Sequence, residues 1–267
     1  MRTAVAWLFV PGSRPERFAK AAAAGADVVI VDLEDAVPAA DKAAARENLR
    51  AAWPIGPNVA VRINARSTEE FDDDVALCRE IAPAAVVLPK TESAADVEAT
   101  AEDTGCAVLG LIESARGFVN LGEICAAPGL ARLMFGSIDL ALDLGVTADA
   151  ALDASRSDLV RWSAACGLPA PIDGVTPSIN DTEAIDRDSR RAKEWGFGGK
   201  LCIHPAQLPI VRRAMRPGDD EIAWARRVVE ADEQAGGAAV SLDGAMIDRP
   251  VVERARRLLR AAGLGPL

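Results

Sequence analysis

Residues 27–52 read DVVIVDLEDAVPAADKAAARENLRAA. The first seven form a β-branched apolar run that ends in acidic residues, and an Ala/Arg/Glu-rich stretch of helical composition follows beyond Pro38. A strand that is apolar on both faces is buried on both faces, which is the situation of a parallel strand covered by helices. The segment is therefore read as one βα unit, strand 27–33 and helix 38–52. The same alternation extends in both directions. Candidate strands lie at 5–10, 58–64, 84–89, 106–112, 130–136, 170–176 and 199–203, with helix-forming segments at 15–24, 68–81, 93–103, 116–126, 150–166 and 181–195. Eight such units in about 210 residues predict an α/β protein of the (β/α)8 TIM barrel type. A doubly wound open sheet differs in whether the first strand meets the last, and the count of eight favours closure.

Residues 217–267 break the pattern. They predict a helix over 219–235, a break at Gly236 and Gly237, and a helix over 250–262 with Asp248 as N-cap and Pro250 in its first turn. The expected division is a barrel of residues 1–216 and a C-terminal helical extension of residues 217–267. The extension is too small to stand alone and is expected to pack on the barrel or on a neighbouring subunit. The chain has 267 residues, 50% hydrophobic and 26% charged, as in an ordinary globular protein. A formal net charge of −10 argues against a nucleic-acid partner. No apolar run reaches the ~18 residues that span a bilayer, so no membrane partner is expected. The opening MRTAVAWLFV reads as a first strand rather than a signal peptide. Five cysteines, at 78, 106, 125, 166 and 202, contain no CxxC and suit reduced thiols in a cytoplasmic protein.

Reactive groups of a parallel barrel gather where strands end and loops begin. The polar residues at those expected ends are Asp32, Glu34 and Asp35, then Arg62 and Asn64, Lys90, Glu113, Asp139, Asp173 and His204. Charges at nearly every strand end exceed what a structural barrel needs. Glu113 and Asp139 form a candidate metal pair: two hard carboxylates without a His or Cys cluster suit Mg2+. Capping of the following helices is the alternative for each singly, and the pair beside Arg62 favours metal. Arg62 could hold a carboxylate or stabilise an enolate oxygen, and could also pair with the Asp32/Glu34/Asp35 cluster. Ser13 and Arg14 precede a helix and read either as an anion site or as a cap with a solvated Arg. His204 before Pro205 reads as a turn histidine, the arginines of 250–262 as a solvated face, and the cysteines as core filling, with Cys202 close to the mouth.

These residues lie in motifs that resemble the citrate lyase β-subunit-like proteins of the HpcH/HpaI aldolase/citrate lyase family, related to malyl-CoA and citramalyl-CoA lyases. The matching pieces are LFVPGSRPERFAKA, VIVDLEDAVPAADKAAAR, VRIN, VVLPK, LIESARG, FGSIDLALDLG, GKLCIHPAQ and GAMIDRPVVERA, in that order. The resemblance implies a TIM barrel that assembles as a homo-oligomer, a trimer, and handles CoA thioesters and 2-oxoacids with Mg2+. By position, Glu113 and Asp139 ligate the metal and Arg62 contacts substrate, with Glu113 also on the substrate side. Asp248 enters a neighbouring subunit's site as acid/base, and Ser13, Arg14, Lys20 and Lys200 contact CoA. One departure is Ile138, where many relatives carry Glu beside the metal-binding Asp. The implied reaction is reversible carbon–carbon cleavage of a 3-hydroxyacyl-CoA to acetyl-CoA and a 2-oxoacid. The alternatives are a metal-dependent aldolase on free 2-keto-3-deoxy acids and a citrate lyase β subunit working within a multi-protein complex.

Overall fold

The computed structural model describes residues 1–236 and 240–264. The chain divides into two compact units, Met1–Met215 and Arg216–Leu267. In the first, eight parallel strands close on themselves in sequence order: β1 (Ala6–Pro11), β2 (Val28–Asp32), β3 (Val59–Arg62), β4 (Ala85–Leu88), β5 (Val108–Ile112), β6 (Leu130–Phe135), β7 (Ile172–Asp173) and β8 (Gly199–Cys202). Closure is direct, with Trp7 of β1 in register with Leu201 of β8. Strand one does meet strand eight, so the sheet is a barrel and the open alternative falls.

Helices α1 (Phe18–Ala23), α2 (Lys42–Ala52), α3 (Phe71–Ile81), α4 (Ala94–Thr104), α5 (Ala115–Val119) and α6 (Leu121–Ala126) follow the first five strands. Then come α7 (Ser137–Leu144), α8 (Asp153–Ala165), α9 (Thr182–Trp195) and α10 (Leu208–Met215). The continuous apolar strands are explained by two separate cores. On β2, Val28 and Ile30 point into the barrel interior with Trp7, Val87, Leu109 and Met134. Val29 and Val31, one residue out of phase, face the helices with Leu49, Val61 and Ile112. Alternate side chains thus fill both layers, each buried aliphatic contributing ~1.5–3 kcal/mol. At the amino-terminal end, buried Arg132 donates to the carbonyl oxygens of Met1 (3.1 Å), Ala4 (2.9 Å) and Ala170 (2.7 Å). Burial without a carboxylate partner lowers its guanidinium to about 10.

Four departures from the sequence expectations stand out. The strand expected over 170–176 contracts to Ile172–Asp173, because the backbone beyond Asp173 leaves the ladder and is held by side chains: Gln207 Nε2 donates to Thr176 O at 2.9 Å and Ser178 O at 3.1 Å. The helix expected over 116–126 is two, α5 and α6, parted at Asn120, whose side chain donates to Glu92 O at 2.8 Å. The short helices α7 and α10, eight residues each, are additions, too brief to show a clear 3.6-residue period. The segment over 150–166 opens as a 3-10 turn, Asp149–Leu152, before α8.

The second unit holds α11 (Asp219–Gln234), a hairpin of β9 (Val240–Leu242) and β10 (Ala245–Ile247), and α12 (Arg249–Ala261). The hairpin turns at Asp243–Gly244, with φ of 53° and 80°, the Asp-Gly signature of a two-residue turn. Ala225, Val228, Ile247, Val252, Ala255 and Leu259 form this unit's own core. Asp248 caps α12, accepting from Val251 N at 3.3 Å, with Pro250 in the first turn. The arginine face is less solvated than expected: Arg256 pairs with Asp232 at 2.9 Å, and Arg254 lies 5.2 Å from the centre of the Trp224 ring. Gly237, expected in the break, lies outside the described residues.

Candidate active site

At the carboxy-terminal ends of the strands, Phe9, Leu111, Val175 and Leu201 cap the interior core and floor a cavity of about 300 Å3. Its rim carries Asp32 at the end of β2 and Asp35 after it, Arg62 from β3, Glu113 after β5, and Gly136, Ser137, Ile138 and Asp139 at the β6–α7 junction. The floor is hydrocarbon and the rim is charged, the composition of a small-molecule site.

Arg62 is held on three sides. Its Nε donates to Asp32 Oδ1 at 2.8 Å and its Nη2 to Asp32 Oδ2 at 2.5 Å, a bidentate pair. Its guanidinium carbon lies 4.9 Å from the centre of the Phe9 ring, and Nη1 lies 3.0 Å from Glu34 Oε2. Burial opposes the guanidinium charge, but Asp32 and Glu34 more than reverse this and hold it above its ordinary value. Burial pushes the Glu34 carboxyl up, against the pull of Arg62. Lys90 Nζ reaches Glu34 Oε1 at 3.2 Å, so the acidic cluster orients both cations.

Glu113 is placed by backbone. Its Oε1 accepts from Lys90 N at 2.8 Å. On its other side lies Gly136, where an added Cβ would stand 2.3 Å from Glu113 Cβ and 2.6 Å from Oε2, so any side chain there would displace the carboxylate. Burial, then the charges of Glu34 and Asp139, push the Glu113 carboxyl up to about 7 despite the Lys90 amide and Arg62. Neither carboxylate serves as a helix N-cap. Ser114 caps α5, accepting from Gly117 N at 3.2 Å, and α7 begins without a side-chain cap. Glu113 and Asp139 therefore meet at one cavity with their oxygens uncommitted to capping. Among the described residues no group of three or more His, Cys, Asp or Glu converges as a metal cluster. The donor set is a pair of hard oxygens, which fits Mg2+, an ion that keeps waters and shares its shell with an oxyacid.

The HpcH/HpaI aldolase/citrate lyase family profile matches residues 6–205, the whole barrel up to the loop after β8. The chain belongs to this family. Both activities in the family's description, aldolase and citrate lyase, break carbon–carbon bonds. A citrate lyase subunit beta-like protein of Mycobacterium tuberculosis is 43% identical over 266 residues, covering 96% of this chain and 95% of that one. A (3S)-malyl-CoA thioesterase of Cereibacter sphaeroides is 33% identical over 272 residues, covering 96% and 93%. Among solved structures, CitE of M. tuberculosis in complex with magnesium, acetoacetate and coenzyme A superposes with a TM-score of 0.89 at 42% identity, covering 98% of this chain and 100% of that one.

The remaining residues expected from the family resemblance do not line this cavity within the barrel unit, and Asp248 belongs to the other unit. Arg14 and Lys20 are exposed and Ser13 is half-buried, on the loop and helix after β1; Arg14 pairs with Glu16 at 2.6 Å and Ser13 caps nothing. Lys200 is 2% exposed, bound to Asp173 and Gly174 O. Asp248 is an exposed residue of the second unit. His204 is the turn histidine expected, its Nδ1 accepting from Ala206 N at 3.2 Å. Cys202 belongs to the strand–helix layer, where burial pushes its thiol up to about 12. No helix among the described residues is long and apolar enough to cross a membrane. Sequence reasoning missed the parts of Gly136 and Ser137; the FGSID stretch, a glycine between a strand and an acidic helix start, held the signal.

Lys90 adopts φ of 47°, a left-handed conformation that disfavours any residue with a Cβ, at the point where its amide holds Glu113. Lys90→Gly and Lys90→Ala both remove the ammonium, so the difference between them isolates the backbone. Lys90→Gly is expected to be the more stable by about 1 kcal/mol in urea denaturation. Equal stabilities would mean that the left-handed backbone carries no strain.

Proposed function

We propose that the protein is a Mg2+-dependent lyase that reversibly cleaves a 3-hydroxyacyl-CoA thioester of the citramalyl-CoA or malyl-CoA type to acetyl-CoA and a 2-oxoacid. The observation that carries this reading is the meeting of Glu113, Asp139 and Arg62 at one cavity: two carboxylates whose mutual repulsion a divalent cation relieves, and a guanidinium fixed beside them. The M. tuberculosis protein crystallised with magnesium, acetoacetate and coenzyme A supports it. Glu113 and Asp139 would hold the ion, which when bound supplies Lewis-acid polarisation of the oxoacid's carboxylate and carbonyl oxygens.

The chain's own groups account for the rest. Asp32 takes two of the five N–H donors of Arg62, leaving others for the thioester oxygen. The substrate hydroxyl gives its proton to a general base as the carbon–carbon bond breaks, the bond's electrons pass into a thioester enolate, and Arg62 offsets that charge from a preorganised position. Asp32 and the Phe9 ring keep the guanidinium from reorganising as the charge appears. Asp248, acting from a neighbouring copy, would return a proton to the enolate carbon to complete the acetyl methyl. This makes a homo-oligomer, a trimer, part of the same reading. Arg14, next to Ser13, and Lys20 of α1, both exposed, are the groups for the CoA phosphates.

The test is product analysis. With Mg2+ and citramalyl-CoA or malyl-CoA, acetyl-CoA should appear with pyruvate or glyoxylate in equal amounts. Release of free CoA and the intact hydroxyacid would instead assign thioester hydrolysis. Cleavage of free 2-keto-3-deoxy acids without any CoA thioester would assign the aldolase reading.

A further inference from the structure

β7 contributes only Ile172 and Asp173 to the barrel, with a single register pair to β6 and two to β8. So short a strand leaves the following segment without ladder bonds to fix it, yet Val175 of that segment lines the same cavity as the metal pair. Gly174 packs so closely on the β6–α7 junction that an added Cβ would lie 2.4 Å from Ser137 Oγ and 3.0 Å from Phe135 O. Ser137 opens α7, and Asp139 stands two residues further along its first turn. The position of Gly174 therefore sets where the helix carrying Asp139 begins.

What fixes Gly174 is a side chain. Lys200 of β8, 2% exposed, donates to Gly174 O and to Asp173 Oδ2, both at 2.8 Å. Asp173 is itself 3% exposed and is the register partner of Lys200. The ammonium does what ladder hydrogen bonds do elsewhere: it satisfies a backbone carbonyl and ties two neighbouring strands at their carboxy-terminal ends. An ammonium so buried and so engaged has little surface to offer the phosphates of a cofactor.

We infer that Lys200 is a positioning residue for the metal pair, seating Asp139 through Gly174 and Ser137, rather than a contact to CoA. This rests on the reading that Glu113 and Asp139 hold the divalent ion. Groups hydrogen-bonded directly to a metal ligand typically change metal affinity by about 10–100-fold when altered, and Lys200, acting through Gly174 and Ser137, belongs at the low end of that range.

The experiment is calorimetric titration of Mg2+, and separately of acetyl-CoA, into the folded full-length protein, with melting temperature in EDTA recorded for every variant. Lys200→Met leaves Asp173 buried and unpaired, so Lys200→Met/Asp173→Asn is made beside it to avoid an orphaned charge. Gly174→Ala keeps the ion pair and presses directly on Ser137, and decides the matter if the Lys200 variants do not fold. The expected result is Mg2+ binding weakened about tenfold or more in each folded variant, with acetyl-CoA binding within about twofold of wild type. Unchanged Mg2+ affinity in Gly174→Ala and the folded Lys200 variants overturns the inference, as does weakened acetyl-CoA binding with Mg2+ affinity intact. If wild type binds Mg2+ no better than Asp139→Asn, the reading of the metal pair fails instead.

Discussion

Glu113→Gln is expected to lose Mg2+ binding and at least about 1000-fold in turnover, because a metal contributes several kcal/mol of charge stabilisation and each 1.4 kcal/mol is tenfold in rate. The same variant should be more stable than wild type when the metal is withheld. Glutamine keeps the oxygen that accepts from Lys90 N and removes only the charge. In the folded protein the Glu113 carboxyl is pushed up to about 7, chiefly by burial, against an ordinary 4.5. Between those values the folded state holds a proton that the unfolded chain has released. Its stabilising effect is complete below pH 4.5 and is lost as pH rises through 7, a change of about 3 kcal/mol. In EDTA, then, wild type should fall below Glu113→Gln in melting temperature at pH 8, by roughly 2–4 °C per kcal/mol for a chain of this size, and match it near pH 4.5. Mg2+ should raise the wild type at pH 8 and leave the variant unmoved. A constant offset between the two proteins across pH would remove the buried charge from the account.

Asp248→Asn is expected to abolish lyase turnover while leaving Mg2+ affinity and acetyl-CoA binding unchanged, since Asp248 is proposed to move a proton and hold neither ligand. Its carboxylate also caps α12, and asparagine caps nearly as well, so the fold should persist. The stronger test mixes subunits. Asp139→Asn and Asp248→Asn are each expected to be inactive alone. If each site combines the barrel of one copy with Asp248 of another, co-refolded mixtures should recover about a quarter of wild-type activity, the fraction of sites that draw both intact parts in random assembly. No recovery would mean that the two residues do not serve one site across copies.

How much of this was legible in sequence differs element by element. Strand β2 was legible because its five residues are buried without exception, four of them β-branched, and nothing but a doubly covered strand makes that pattern. β7 was overestimated because APIDGVT has the composition of a strand while its hydrogen bonds go to Lys200 and Gln207 side chains, which local pattern does not encode. Helix α7 was missed because eight residues carry too few repeats, although it bears Asp139. The pairing of Arg62 with the acidic cluster was legible, since unlike charges at the neighbouring ends of β2 and β3 find each other.

From the order of residues alone follow the closed barrel, the family and the meeting of Glu113, Asp139 and Arg62 at its mouth. The family follows from the motifs and their order, and the barrel and its gathered charges from periodicity and strand order, which in a barrel of parallel strands bring every strand end to one rim. Only the tertiary structure decided the state of those groups: the burial that leaves Glu113 near neutrality, the ring and carboxylate that immobilise Arg62, and the seating of Gly136 against Glu113. It also decided that Lys200 lies buried against Asp173 and Gly174 O, where the motif alone suggested a cofactor contact. Desolvation and close packing depend on residues far apart in the chain, so no local reading of the sequence contains them.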